Sequence, residues 1–216
     1  MNGQSETLLK LMEAVSNKLI ANEKTLTDLD SAIGDGDCGI SIKKGFQAVL
    51  DKLPSLKDHS PGGILKQIGM VLTSTIGGVS GAIYATAFLR AGIKAGDSET
   101  LGLQDIHEIM QVALDGVKER GEGTKVGDKT MVDALEPAVA AFGEAACNDG
   151  DDVASLLEKT LEAARKGSDR TIDLLAKKGR ASYLGERSKG HRDAGSVVIC
   201  LMFEAAHELF AKEVSL

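Results

Sequence analysis

The 216-residue chain carries 25 basic and 32 acidic residues, and its net charge of -7 excludes non-specific adhesion to nucleic acid or to an anionic membrane face. Hydrophobic residues make up 43%, Trp is absent and Pro numbers only 3, a balance that affords a sizeable core and favours helices. Three widely spaced cysteines, Cys38, Cys147 and Cys200, form neither a zinc pattern nor a disulfide framework. The first residues lack a signal-peptide pattern, and no apolar run approaches the ~20 residues of a membrane span. A soluble, cytoplasmic chain with one domain over residues 1–216 is expected.

Leu8, Leu11, Met12, Val15, Leu19 and Ile20 recur at helical spacing and predict a first helix over 7–21, ended by Asn22. Residues 25–37 read mostly as loop. They carry Asp30, Asp35 and Asp37, with Gly34, Gly36 and Gly39 separating and following the last two. Glycine permits backbone conformations closed to other residues, so this segment can curl and bring three carboxylates together. Such crowding is costly unless a cation offsets it, and oxygen-only ligands point to a hard metal, Mg²⁺ or Ca²⁺, with the open positions left by three carboxylates suiting Mg²⁺ shared with phosphate oxygens. The spacing is not that of an EF-hand.

A second helix is expected over 39–53, stopped by Pro54. Its N-terminus follows the acidic loop directly. Free amides at Cys38 to Ser41 would then face the same space and attract an anion. A third helix over 64–75 leads into a Gly/Ser-rich turn, Ser74 to Gly81, and a fourth helix over 83–95. A linker at 97–103 precedes a fifth helix over 104–120, in which His107 reads as a surface or boundary residue. The next loop, Gly121 to Thr130, is again Gly-rich, and Thr130 with Asp133 resembles a capping box for a sixth helix over 131–146. Pro137 falls inside that helix and predicts a kink or a later start.

An Asp-rich turn at 148–152 precedes a long seventh helix over 153–175. A long loop follows through Gly195, containing Arg180, Arg187, Lys189 and Arg192, which would supply positive charge opposite an anionic ligand. The last helix spans 195–214, with Cys200 as a small core residue. The reading is all-α, with eight helices and no strand. In an up-and-down array alternate connections share one end. The acidic loop, the Gly77–Gly81 turn, the 121–130 loop and the Arg-rich loop therefore meet at one rim, an inventory suited to a Mg²⁺-nucleotide. The Gly-Lys-Ser/Thr phosphate loop and the dinucleotide fingerprint are both absent.

These strings resemble the nucleotide-binding L subunit of dihydroxyacetone kinase. The resemblance covers nearly the whole chain. It rests on Leu29-Asp30 with Gly34-Asp35-Gly36-Asp37-Cys38-Gly39, on Gly77-Gly78-Val79-Ser80-Gly81, on Gly127-Asp128-Lys129-Thr130-Met131, and most specifically on the run from Gly179 to Ser188. It implies an eight-helix antiparallel barrel with ADP or ATP at one end. It also implies a Mg²⁺ pair on Asp30, Asp35 and Asp37, which act in catalysis through the metal. Cys38, Gly39, Ile40, Ser41, Val79, Ser80, Gly121, Thr130, Met131, Arg180, Asp193, Ala194 and Gly195 match nucleotide contacts, with Arg180 as an added cationic clamp.

The implied partners are a K subunit that holds dihydroxyacetone and an M subunit that recharges bound ADP from a phosphoenolpyruvate phosphotransferase relay. A transcriptional regulator and a second copy of the chain are further partners left open. Cys38 stands where some members have His, and Ala194 where some have Pro, which loosens the nucleotide lid. The expected activity is phosphoryl transfer to dihydroxyacetone. The alternatives are a kinase subunit for a related ketose such as erythrulose, and a non-catalytic nucleotide-sensing module.

Overall fold

The computed structural model describes residues 3–98, 100–147 and 152–213. Of the expected Asp-rich turn only Asp152 falls among them; Glu99 of the linker and Val214 of the last helix also lie outside the described residues. The described residues form nine α-helices and two 3-10 stretches, with no strand. The α-helices are α1 (Gly3–Ala21), α2 (Glu23–Ile33), α3 (Cys38–Lys52), α4 (Pro61–Thr75), α5 (Gly78–Ala95), α6 (Leu103–Arg120), α7 (Val132–Ala146), α8 (Val153–Arg170) and α9 (Ala194–Glu213). Short 3-10 segments occupy Leu53–Leu56 and Arg180–Ser188.

The all-α expectation holds, and the helix count rises by one. Residues 25–33, expected as part of a loop, belong to α2 because Leu26 and Ile33 stand seven residues apart on one face and both are buried. The Ser31 hydroxyl donates back to the Thr27 carbonyl at 2.7 Å. Asn22 ends α1 as expected, its side-chain amide donating to the Lys18 carbonyl at 2.8 Å. Both α1 and α2 pack on α3, so together they make one arm and the parity of the later connections is kept.

Two boundaries move for identifiable reasons. The Gly/Ser turn shrinks to Ile76 and Gly77, because α5 already begins at Gly78. The seventh expected helix stops at Arg170 rather than 175: the Thr171 hydroxyl donates to the Ser168 carbonyl at 2.6 Å and the chain turns away. Pro137 does sit inside α7, where it leaves the Asp133 carbonyl without its helical donor. There α8 comes close: a Cβ on Gly167 would lie 2.0 Å from that carbonyl oxygen.

Each helix from α3 onward packs on the next, and α9 returns to α1, so the neighbours close on themselves. The largest shared core contains Leu19, Leu26, Phe46, Ile64, Ile68, Leu72 and Val198, all fully buried. Burying each such side chain contributes about 1.5–3 kcal/mol. One expectation needs correcting: Ala194–Lys212 of α9 is long and apolar enough, by length and composition, to cross a membrane. In the fold it packs on α1, α7 and α8, and Lys18 of α1 pairs with its Glu208 at 2.6 Å, which is how a core helix behaves. His107 is half-buried against Gly143, a boundary position as expected. With this parity, the connections α2–α3, α4–α5, α6–α7 and α8–α9 share one end.

Candidate metal and nucleotide site

At that end the three expected carboxylates converge. Asp30, Asp35 and Asp37 each bring an oxygen within 4.8 Å of the others. Asp30 comes from the last turn of α2, and its Oδ2 accepts the amides of Asp37 at 3.0 Å and Cys38 at 3.2 Å. This bond folds the loop back on the helix that precedes it. Gly36 turns the chain at φ +74°, and a Cβ on Gly39 would lie 2.1 Å from the Glu23 carbonyl oxygen. The start of α3 therefore lies against α2 only because residue 39 is glycine.

Asp37 occupies the N-cap position of α3, yet its side chain makes no capping bond. A residue type chosen for capping is thus left exposed beside two other carboxylates. Burial first, then Asp35 and Asp30, raise its pKa above the usual carboxylate value, against the pull of Arg180. Exposed Arg180 pairs with Asp35 at 2.8 Å. Oxygen-only donors, crowded and only partly neutralised, fit a divalent cation such as Mg²⁺. The helix N-terminus is less open than expected. The Cys38 amide goes to Asp30 and the Ser41 amide to the Asp37 carbonyl at 2.9 Å, so two of the four expected amides are used inside the protein.

The 121–130 loop is held by side chains of its own. Asp133, buried at 2% exposure, accepts the Gly127 amide at 2.6 Å and the Thr130 amide at 2.7 Å. The second bond is the return arm of the expected capping box, and the Thr130 hydroxyl accepts the Val132 amide at 3.2 Å. Gly121 lies beside Thr124, whose hydroxyl meets that of Thr130 at 3.2 Å. Met131 borders Gly195: a Cβ there would sit 3.4 Å from the Met131 Cβ. Asp193 caps α9, its Oδ2 accepting the Ser196 amide at 2.6 Å, and Ala194 behind it is buried.

The structure thus brings the acidic loop, the start of α3, the 121–130 loop and the 180–195 loop together. Val79 and Ser80, in the first turn of α5, are exposed, as is Ile40 in the first turn of α3. Of the basic residues in the Arg-rich loop, Arg192 pairs with Asp169 at 2.5 Å and Lys189 with Glu186 at 2.9 Å. Those two are spent on the protein, and Arg180 alone of the loop's ion-paired cations reaches the acidic triad.

Burial and four carboxylates, Asp30, Asp193, Asp37 and Asp35, push the Cys38 thiol up to about 12. It stays protonated at neutral pH and is no thiolate ligand. Burial raises Asp193 to about 7, against the Ser196 amide and Lys129, with Asp133 and Asp30 adding to the rise. Tyr84 of α5 is raised well above its ordinary value by burial, then by Cys38 and Asp193.

Sequence reasoning missed Lys129. It is fully buried, its backbone adopts φ +63°, and its Nζ donates to the carbonyls of Thr171 and His191. The one available signal was its position next to Asp128 in a Gly-rich run. A separate cleft of about 410 Å³, lined by Thr25, Asp28, Leu29, Ala32, Gly190, His191 and Arg192, contains none of the expected nucleotide residues.

Residues 32–208 match the DAK2 domain model. The chain belongs to the DAK2 domain family. Among its relatives, this DAK2 chain is 39% identical over 188 residues to the "PEP-dependent dihydroxyacetone kinase, ADP-binding subunit DhaL" of Escherichia coli, covering 87% of this chain and 88% of that one. It is 36% identical over 215 residues to the "PEP-dependent dihydroxyacetone kinase 1, ADP-binding subunit DhaL" of Listeria innocua, covering 100% of both. It also matches an L-erythrulose kinase of Pectobacterium atrosepticum at 30% identity, over 90% of this chain and 33% of that enzyme. Among solved structures, the dihydroxyacetone kinase of C. freundii in complex with AMP-PNP and Mg²⁺ superposes with a TM-score of 0.74 at 25% identity. That likeness covers 94% of the DAK2 chain and 34% of the C. freundii chain, so this chain spans about a third of that enzyme.

Proposed function

We propose that this chain, over residues 1–216 as one domain, is the nucleotide-binding subunit of a dihydroxyacetone kinase. The observation that carries the reading is the convergence of the Asp30, Asp35 and Asp37 oxygens within 4.8 Å beside Arg180. Phosphoryl transfer asks a protein for position and charge neutralisation more than for covalent chemistry. Asp30, Asp35 and Asp37 would hold Mg²⁺, as a pair in the family's manner. Bound there, Mg²⁺ offsets the charge of the phosphate oxygens. Arg180 leaves Asp35 to reach a phosphate, a task suited to its planar fork of donors.

The first turn of α3 (Cys38, Gly39, Ile40, Ser41), Val79 with Ser80, Gly121, Thr130 with Met131, and Asp193 to Gly195 line the nucleotide. We assign no general base to this chain. The Cys38 thiol is too weak an acid and Asp193 is engaged as a cap. The acceptor hydroxyl and its base belong to a triose-binding K subunit. The names of the E. coli and Listeria relatives, and of a PTS-dependent counterpart in Lactococcus lactis at 36% identity, support recharging of bound ADP by a phosphotransferase M subunit. A cytoplasmic site of action follows from that relay. A regulator and self-association belong to the same reading as further partners.

A second reading keeps the site and changes the sugar, since one relative is named for L-erythrulose. The sugar would be held by the partner, so the residues of this chain serve either. The test is to denature the purified chain and identify released nucleotide and metal. A purified K subunit then supplies acceptor for phosphoryl transfer from ATP or from the relay. Stoichiometric ADP with Mg²⁺, and triose phosphate formed only with both subunits, are expected. A chain that binds neither ADP nor ATP with Mg²⁺ overturns the reading.

A further inference from the structure

The loop that delivers Arg180 runs from the end of α8 to the start of α9, and its two ends are bound to each other. The Gly190 amide donates to the Ile172 carbonyl at 2.8 Å, and the Asp193 amide to the Thr171 hydroxyl at 3.0 Å. Lys129, from another loop, sits at this neck and donates from one ammonium to the Thr171 and His191 carbonyls, the latter at 2.5 Å. The body of the loop also rests on the 121–128 segment. Lys177 donates through its amide to the Asp128 carbonyl at 3.1 Å and through Nζ to the Gly127 carbonyl at 2.9 Å. Lys178 donates to the Glu122 carbonyl at 3.0 Å.

Lys177 and Lys178 are surface ties made by long, mobile side chains, worth little each. Lys129 differs. It is 2% exposed and its backbone takes a positive φ, uncommon for a non-glycine residue. Burial lowers its pKa, and Asp193, Asp133 and Asp173 oppose that shift. A buried ammonium with two of its three donors on backbone carbonyls and with carboxylates nearby is held in place by the protein.

We infer that Lys129 is a positioning residue: it latches the neck of the 172–190 loop and thereby holds Arg180 over the acidic triad. The role of the loop as a nucleotide lid rests on the function proposed above, whereas the latch itself does not. With the latch intact the lid opens rarely and bound nucleotide leaves slowly. Without it the neck loses its one buried side-chain cation, and the loop is left with backbone and hydroxyl bonds and with the exposed ion pairs of Arg180 and Arg192.

The test compares wild type with Lys129→Met, which removes only the ammonium. Hydrogen exchange of 172–190 in the nucleotide-free chain is expected to quicken about tenfold or more, while α3 to α5 keep their protection. Release of a fluorescent ADP analogue with Mg²⁺ is expected to quicken about tenfold, raising KM for nucleotide and leaving kcat at saturation nearly unchanged. Lys129→Arg, which retains charge and donors, restores both. Should Lys129→Met not melt cooperatively, Thr171→Val removes one neck bond and is expected to shift exchange and release in the same direction, more weakly.

Exchange at 172–190 that matches wild type, or that rises equally in every helix, overturns the latch. A loosened loop with unchanged nucleotide release overturns its bearing on the lid. A wild-type chain that does not bind Mg²⁺-ADP overturns the proposed function, and the exchange data then decide the latch alone.

Discussion

The acidic loop and the Lys129 neck are both dense in charge, yet they use it in opposite ways. At the neck, Lys129 and Asp133 are buried at 2% exposure and their donors and acceptors are spent on backbone groups. In the acidic loop, Asp35 and Asp37 are exposed, and Asp37 sits at a helix N-cap without capping it. Charge consumed inside the protein fixes shape. Charge left over beside like charge is a binding site waiting for a counterion. Substitutions in the two regions should therefore separate stability from binding.

The largest effect is expected at Asp37. Asp37→Ala should weaken Mg²⁺-dependent nucleotide binding by about 100-fold or more, close to 3 kcal/mol. The melting temperature without Mg²⁺ should hold or rise, because one of three repelling carboxylates is gone. Calorimetric titration and thermal melting check both halves, and lost cooperativity in the melt would break the contrast. Asp133→Ala should do the reverse. Removing the acceptor of two amides in a buried site should cost about 2–4 kcal/mol in urea unfolding.

A third effect concerns pH. Asp193 has its folded pKa raised to about 7, so the folded state holds that proton more tightly than the unfolded chain. Stability contributed by this group is greatest at low pH and falls as pH rises from about 4 to about 7. Asp193→Asn keeps a cap oxygen for Ser196 and should flatten that slope in melts across the range. The smallest change in stability is expected for Arg180→Ala. The side chain is 69% exposed, so unfolding should shift by less than about 0.5 kcal/mol. Nucleotide affinity should still fall about tenfold, read by the same titration.

The sequence made the acidic site legible because all three carboxylates fall within eight residues, and a short Gly-rich segment can bring them together by itself. The common rim was legible too, since the parity of helix connections survives the change of residues 25–33 from loop to helix. The difference has a local cause: only Leu26 and Ile33, seven residues apart, mark the buried helix face, and the polar residues between them carry no helical signal of their own. Lys129 was not legible for a different reason. Its acceptors, Thr171 and His191, lie 42 and 62 residues away, and nothing near position 129 announces burial. The pairing of Arg192 with Asp169 escaped for the same reason: basic residues in a loop look alike until the fold supplies their partners.

The central claim is that the leftover charge of Asp30, Asp35 and Asp37 binds a metal-nucleotide. The most direct measurement is calorimetric titration of ADP into the nucleotide-stripped chain, with Mg²⁺ and again with Mg²⁺ removed by chelation. The account predicts saturable binding at one nucleotide per chain that weakens about 100-fold or more when Mg²⁺ is withdrawn. Equal affinity under both conditions, or no binding under either, would contradict it.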